Sequence, residues 1–401
     1  MATIKLYDSD AYQTTFEAEV LACTEKMVLS TKKQKTQENN SQEQQKVYEV
    51  ILNQTLFFPE EGGQTPDNGT LGNANVIDVQ ITKDNTILHT VDKALEVGQS
   101  VKGEINWQHR FFNMQQHSGE HLFSGLVYKQ FGFHNVGFHL SNQIVTMDFD
   151  GVLSSEDVDK LEWVVNQAII ENVEIKTSYP SKAELADMEY RSKIEIDGDV
   201  RIVEVVGYDM CACCAPHVHY TGEIGIFKIQ NVQSYKGGVR ISFLCGFRAL
   251  MEFRKKSSIL TELSGILTTN PESLAENVSK LKAQTQSLKM ELGNAKQSIM
   301  ENKIASIPIE QKNVLLFEAE LDTPIVRNII NKLTEQHEGI CGIFTGTDKE
   351  GYSFIIGSKT ADCREIAKLL KEKLQARGGG SSVMIQGSVK ALEGEIKEIL
   401  L

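Results

Sequence analysis

The sequence predicts an α+β multidomain protein, and three features predict it. The first hundred residues carry short runs rich in Val, Ile, Thr and aromatics, separated by Gly, Asn and Asp clusters. From Trp107 the apolar spacing changes to three and four, and helices then alternate with strand-like runs. A heptad stripe from Leu274 precedes a second α/β pattern after Ile307. At 401 residues the chain exceeds one ordinary domain. These periods divide it into a small β-barrel domain over 1–105, an α+β domain over 106–248, a helical coiled-coil linker over 249–305 and a C-terminal α/β domain over 306–401.

The N-terminal strands are expected at Phe16–Ala22, Val47–Leu52, Ala74–Ile81 and Thr86–Val91, forming a small barrel or sandwich. The polar, Lys- and Gln-rich stretch Thr31–Gln45 predicts a mobile hairpin loop. Phe111, Met114, His117, His121, Leu122, Gly125 and Tyr128 predict a helix, and Ser155, with Glu156 and Asp157 after it, opens a second that runs to Ile170. Strands follow at Glu174–Ser178, Val200–Val206, Ile224–Val232 and Val239–Cys245. Leu274, Val278, Leu281, Thr285, Leu288, Leu292, Ala295 and Ile299 form the heptad stripe. It suits either a helix packed on its own chain or a coiled-coil seam, and an antiparallel pair with a helix over Phe253–Leu267 satisfies both. Beyond it the expected elements are strands at Val314–Phe317, Gly339–Thr345 and Tyr352–Ile356, and helices at Pro324–Gln336 and Ala361–Leu374, the last closed by flexible glycines at Arg377-Gly-Gly-Gly380.

Composition narrows the function. With 41% hydrophobic and 24% charged residues the chain is globular. No stretch approaches eighteen consecutive apolar residues, which excludes a transmembrane helix, and the N-terminus lacks a secretory pattern, so a cytoplasmic location is expected. Net charge is −13, all of it in residues 1–250 (21 basic minus 34 acidic); residues 251–401 hold 20 of each. Bulk polyanion binding is therefore excluded, and a nucleic-acid partner requires locally grouped cations. Seven cysteines, an odd number, argue against a disulfide framework.

Three of those cysteines crowd into Cys211-Ala-Cys-Cys-Ala-Pro-His-Val-His219, while His117-Ser-Gly-Glu-His121 sets two imidazoles on one helix face. Thiolate and imidazole are ligands that Zn²⁺ takes in tetrahedral geometry. Cys213 and His217 form C-x-x-x-H, with Cys214 and His219 as competing ligands; strand alternation sets Cys213 and Cys214 on opposite faces. The first pair differs from the H-E-x-x-H of zinc proteases, because Glu120 directly precedes the second histidine.

With these motifs the sequence resembles the alanyl-tRNA synthetase editing domain and alanyl-tRNA editing proteins of the AlaX type, long form. The match rests on Thr55-Leu-Phe-Phe-Pro-Glu-Glu-Gly-Gly-Gln64 with Asp67 and Gly69, on His117 and His121, and on Cys213 and His217 followed by Thr221-Gly-Glu-Ile-Gly225. Arg377-Gly-Gly-Gly-Ser-Ser with Gln386-Gly387 is similar to the DHHA1 domain. Two departures stand out: Glu61 where the family usually has glycine, and Cys214-Ala-Pro where it has Gly-Gly-Thr.

The resemblance implies hydrolysis of tRNA(Ala) mischarged with serine or glycine, at one Zn²⁺ per chain held by His117, His121, Cys213 and His217. Such a second site is needed because one pocket discriminates poorly between amino acids differing by so little. The segments present correspond to editing and C-terminal parts, so aminoacylation is not expected. Four protein ligands fill a tetrahedral zinc, which predicts that one of them, His217, yields to water or substrate. Thr55, Gly62, Gly63 and Gln64 are candidate substrate contacts, with Thr55 a partner for the serine hydroxyl and the glycines allowing close backbone approach. Arg240 is a candidate phosphate contact. Arg364, Lys368 and Lys371 share a helix face beside Arg377, Gly378, Gly379 and Gly380, a candidate tRNA-binding edge. The heptads leave open a homodimer through the coiled coil. A zinc hydrolase of a small ester unrelated to tRNA, and a non-catalytic structural-zinc adaptor for tRNA or protein, are the competing functions.

Overall fold

Alternation of inward apolar and outward polar residues builds the first strands: Ala74–Ile81 buries Ala74, Val76 and Val79 and leaves Asn75 and Ile77 outside. A computed structural model describes residues 2–31, 42–192 and 198–401. The chain forms two compact units, Met1–Ile259 and Leu260–Leu401.

In the first unit β1 (Thr15–Thr31), β2 (Gln42–Leu52), β3 (Gly69–Leu71), β4 (Ala74–Ile81), β5 (Ile87–Val91) and β6 (Ser100–Ile105) close into a barrel in the order β1-β2-β5-β4-β3-β6. Phe16, Val20, Val50, Leu52, Val79 and Val91 fill it. β1 runs well beyond the expected Ala22, because its polar second half pairs with β2 as far as Thr31 against Gln42. Gln42–Gln45, expected in a loop, thus belong to a strand; residues 32–41 of that loop lie outside the described residues.

Helix α1 (Trp107–Phe131) follows, capped by the Asn106 side chain and stopped at Gly132 in the left-handed conformation. It is buried from Asn113 to Val127 on all sides, so its polar residues need partners inside the fold. Gln116 supplies one example, donating to Cys245 O at 3.0 Å and accepting from Cys245 N at 2.7 Å. β7 (Asn135–Leu140), β8 (Val145–Phe149), α2 (Ser155–Glu171), β9 (Ile175–Ser178), β10 (Ile202–Val205), β11 (Asp209–Ala212), β12 (Phe227–Tyr235) and β13 (Gly238–Cys245) are the further main elements of the unit. They form an antiparallel sheet in the order β12-β13-β8-β7 and a three-stranded sheet β9-β10-β11.

Helix α3 (Gly246–Leu267) runs from the first unit into the second, where α4 (Leu274–Ala305) begins. The heptad residues Val278, Leu281, Leu288, Leu292 and Ile299 are each more than half exposed. Pairing with the preceding helix therefore does not cover the stripe, contrary to the antiparallel expectation. The second unit's sheet orders β14 (Val314–Glu318), β15 (Cys341–Thr347), β16 (Gly351–Gly357), β18 (Met384–Val389) and the edge strand β17 (Arg377–Gly380), with α5 (Thr323–Gln336), α6 (Cys363–Leu374) and α7 (Glu393–Leu400) against it. The glycines at 378–380, expected to be flexible, are a strand paired with β18. No described helix is long and apolar enough to cross a membrane.

Candidate metal centre

α1 sets His117 and His121 one turn apart, and the chain leaving β11 brings Cys213 and His217 against them. The ligand atoms of these four residues lie within 4.8 Å of one another. Cys213 Sγ stands 3.6 Å from His117 Nε2 and 3.4 Å from His217 Nε2. Tetrahedral Zn–S and Zn–N bonds put sulfur and nitrogen about 3.6 Å apart, so these spacings fit the ion. The cluster leaves out both competing ligands. Cys214 turns toward the barrel core, and His219 stacks on Tyr12 with ring centroids 4.1 Å apart.

Two of the imidazoles have the other nitrogen hydrogen-bonded, and the third has it beside a carboxylate. His117 Nδ1 donates to Gln64 Oε1 at 2.9 Å, His217 Nδ1 is 3.0 Å from Ser118 Oγ, and His121 Nδ1 makes an ion contact with Asp209 Oδ2 at 3.2 Å. An oxygen that accepts at Nδ1 leaves Nε2 as a lone-pair donor turned inward, the arrangement that orients histidine for a metal. Ser118 holds His217 as closely as Gln64 holds His117, so the geometry does not single out His217 as the exchanging ligand. Arg191 grips Asp209 through two bonds of 2.7 and 2.8 Å. Arg201 donates to Cys213 O and Ala215 O at 3.0 and 2.9 Å, fixing the turn that carries the thiol. A sequence pattern does not reveal Ser118, Asp209, Arg191 and Arg201, since their roles come from contacts across the chain; for Ser118 the one signal is its place inside the first histidine motif.

Electrostatics favour ligation at Cys213 and His217. Burial alone would keep the Cys213 thiol protonated, yet the imidazoles around it, His117 foremost, hold it well below the usual thiol range. Burial pushes His217 down to about 3, keeping it neutral. His121 is also buried, but Asp209 and Cys213 hold its proton well above the ordinary histidine value. Glu120 is held beside the cluster, its Oε1 accepting from Ser124 at 2.7 Å and from Asn135 while its Oε2 lies 3.9 Å from His121 Nε2.

The glycine-rich segment forms the neighbouring wall. Gly63, with φ of +81°, packs so tightly that a Cβ there would lie 2.3 Å from Phe138 O; its close approach is to the protein's own backbone. Gly62 faces the cluster, where a Cβ would be 3.6 Å from Cys214 Sγ and 4.0 Å from His117 Cε1. Gln64 is buried, with Nε2 unpartnered. Thr55 is wholly enclosed, its hydroxyl oxygen accepting from Phe57 N at 3.1 Å and lying 2.9 Å from His89 Nε2. Asp67 anchors the segment by accepting from Phe58 N and from the fully buried Arg110. Arg240 already has an acidic partner. Its guanidinium is spent on Asp148 at 2.6 and 2.7 Å and on the Tyr235 ring, which compensates the charge a phosphate would need.

In the second unit Arg364 is matched to Asp362, while Lys368, Lys371 and Arg377–Gly380 are exposed.

The fold and this centre define a class, an α+β protein with a buried histidine–cysteine cluster of metal-binding type. Residues 2–109 match the family described as tRNA synthetases class II (A), and 200–242 match the threonyl and alanyl tRNA synthetase second additional domain. The alanyl-tRNA editing protein Aarsd1 of Danio rerio is 26% identical over 98% of this chain and 95% of its own length. The alanyl-tRNA editing protein AlaX-L of Pyrococcus horikoshii is 26% identical over 88% of this chain and 91% of its own. The alanine–tRNA ligase of Ignicoccus hospitalis is 30% identical over 75% of this chain, which spans only 31% of that enzyme. Over most of its length the chain is thus similar to alanyl-tRNA editing proteins.

Proposed function

We propose that the chain deacylates tRNA(Ala) mischarged with serine or glycine, using one Zn²⁺ held by His117, His121, Cys213 and His217. The convergence of three imidazoles on one thiol held below its usual range carries this reading. When bound, the ion would supply Lewis acidity for ester hydrolysis. Gln64 orients His117 through Oε1 and keeps an unpartnered Nε2 donor, suited to an oxygen on which charge develops. Asp209, steadied by Arg191, fixes His121, and Ser118 fixes His217. The exposed cations Lys368, Lys371 and Arg377, with Arg364 and the strand Gly378–Gly380, would take the tRNA backbone. The uncovered heptad stripe would pair two copies, and the activity belongs to the cytoplasm.

The deciding experiment incubates the protein with seryl-tRNA(Ala), alanyl-tRNA(Ala) and simple esters. Release of serine alone is expected. Turnover of simple esters would indicate a general hydrolase, and no turnover a binding role. His117→Ala should lose both zinc, measured by elemental analysis, and deacylation by about a hundredfold; full activity without metal would end the zinc reading.

A further inference from the structure

Two buried polar atoms near the centre lack hydrogen-bond partners and belong to no ligand set: Glu61 Oε2 and Tyr7 Oη. Tyr7 is 2% exposed, in the short helix Leu6–Ser9 with its ring edge against Phe58. Glu61 directly precedes Gly62, the residue whose missing side chain faces both Cys214 Sγ and His117 Cε1. Tyr7, Glu61 and Cys214 are close enough to act on one another electrostatically. The two departures from the family pattern, 61 and 214, therefore meet at one place beside the centre. A carboxylate oxygen and a phenol oxygen left bare inside a protein are costly unless something completes them. The Glu61 oxygen accepts and the Tyr7 hydroxyl can accept through its lone pairs, so an ammonium group, with several donors, would satisfy both. Gln64 Nε2, the unpartnered donor three residues on, asks instead for an oxygen. An esterified amino acid offers both in adjacent positions, an ammonium group and a carbonyl oxygen.

We propose that Glu61, assisted by Tyr7, forms a subsite for the α-ammonium group of the esterified amino acid, so that the centre acts on free aminoacyl esters in preference to those lacking the amine. This rests on the deacylase reading above. The test compares seryl-tRNA(Ala) with the same tRNA carrying glycerate, in which a hydroxyl replaces the ammonium, each rate taken relative to that ester's uncatalysed hydrolysis. The wild-type protein should prefer the amine in kcat/KM by about tenfold or more, the worth of a hydrogen-bonded charge. Glu61→Gln should cut that preference to about twofold with zinc content unchanged, and Tyr7→Phe should reduce it in the same direction, which keeps the test open if the first variant does not fold. An unchanged preference in both variants, or equal loss on both esters, overturns the subsite while leaving the deacylase reading intact. Wild-type protein inert toward both esters overturns the deacylase reading and the subsite with it.

Discussion

His89 lies wholly inside the barrel, its Nδ1 3.2 Å from Val50 O and its Nε2 2.9 Å from the Thr55 hydroxyl. A carbonyl only accepts, so Nδ1 carries the proton and Nε2 accepts from Thr55. Burial pushes this imidazole down to about 4. In the unfolded chain it takes a proton near 6.5, so between those values the unfolded state binds more protons. The resulting stability is present above that range and lost as pH falls through it, roughly 2.5 kcal/mol between pH 7 and 4.5. Urea unfolding at those two pH values should show His89→Gln losing correspondingly less on acidification than the wild type; equal slopes would refute the assignment. Residues of this kind mark the limit of sequence reasoning. His117, His121, Cys213 and His217 are legible because ligand chemistry restricts residue type and spacing. Thr55 and Arg240 are legible only as polar groups, since whether a hydroxyl or guanidinium is already spent depends on neighbours such as His89 and Asp148, far away in sequence.

At the scale of elements, the join between α1 and the glycine-rich segment decides whether the centre forms. Arg110, fully buried, donates to both Asp67 oxygens, to Leu56 O and to Ala11 O at 3.0 Å, tying the segment 55–67 to the first turn of the helix that carries two ligands. Asp67→Asn keeps the shape and leaves the guanidinium uncompensated. It should lower the unfolding free energy by about 3–5 kcal/mol, read by chemical denaturation; a loss under about 1 kcal/mol would show the pair to be dispensable. Further along the same helix Gly125 admits β11, since a Cβ there would sit 2.5 Å from Asp209 Cβ, beside the residue that fixes His121. The helices themselves are legible from their period, α1 and α4 above all, because neither a strand nor a loop sustains a long repeat of three and four. β17 and α7 are not. Arg377–Gly380 has almost no side chains to alternate, so only its pairing with β18 makes it a strand. Glu393–Leu400 is too short to establish a period.

For the whole molecule, charge is divided as the proposed task requires. Most of the excess negative charge lies in the unit with the candidate centre, while the second unit, residues 260–401, is close to neutral (17 basic, 19 acidic). Holding a tRNA therefore falls to whichever cations the second unit groups and leaves uncompensated. Arg364 is held by Asp362, so α6 offers Lys368 and Lys371, one turn apart on an exposed face next to the β17 edge. Phosphate contacts of this type release counterions, so each one removed lowers the slope of log affinity against log salt by about one. Lys368→Glu with Lys371→Glu should weaken tRNA(Ala) binding by at least about tenfold at low salt and flatten that slope by about two, while Arg240→Ala, already neutralised by Asp148, should leave both nearly unchanged. Filter binding across a salt series measures this, and wild-type affinity in the double variant at low salt would remove the docking role from α6.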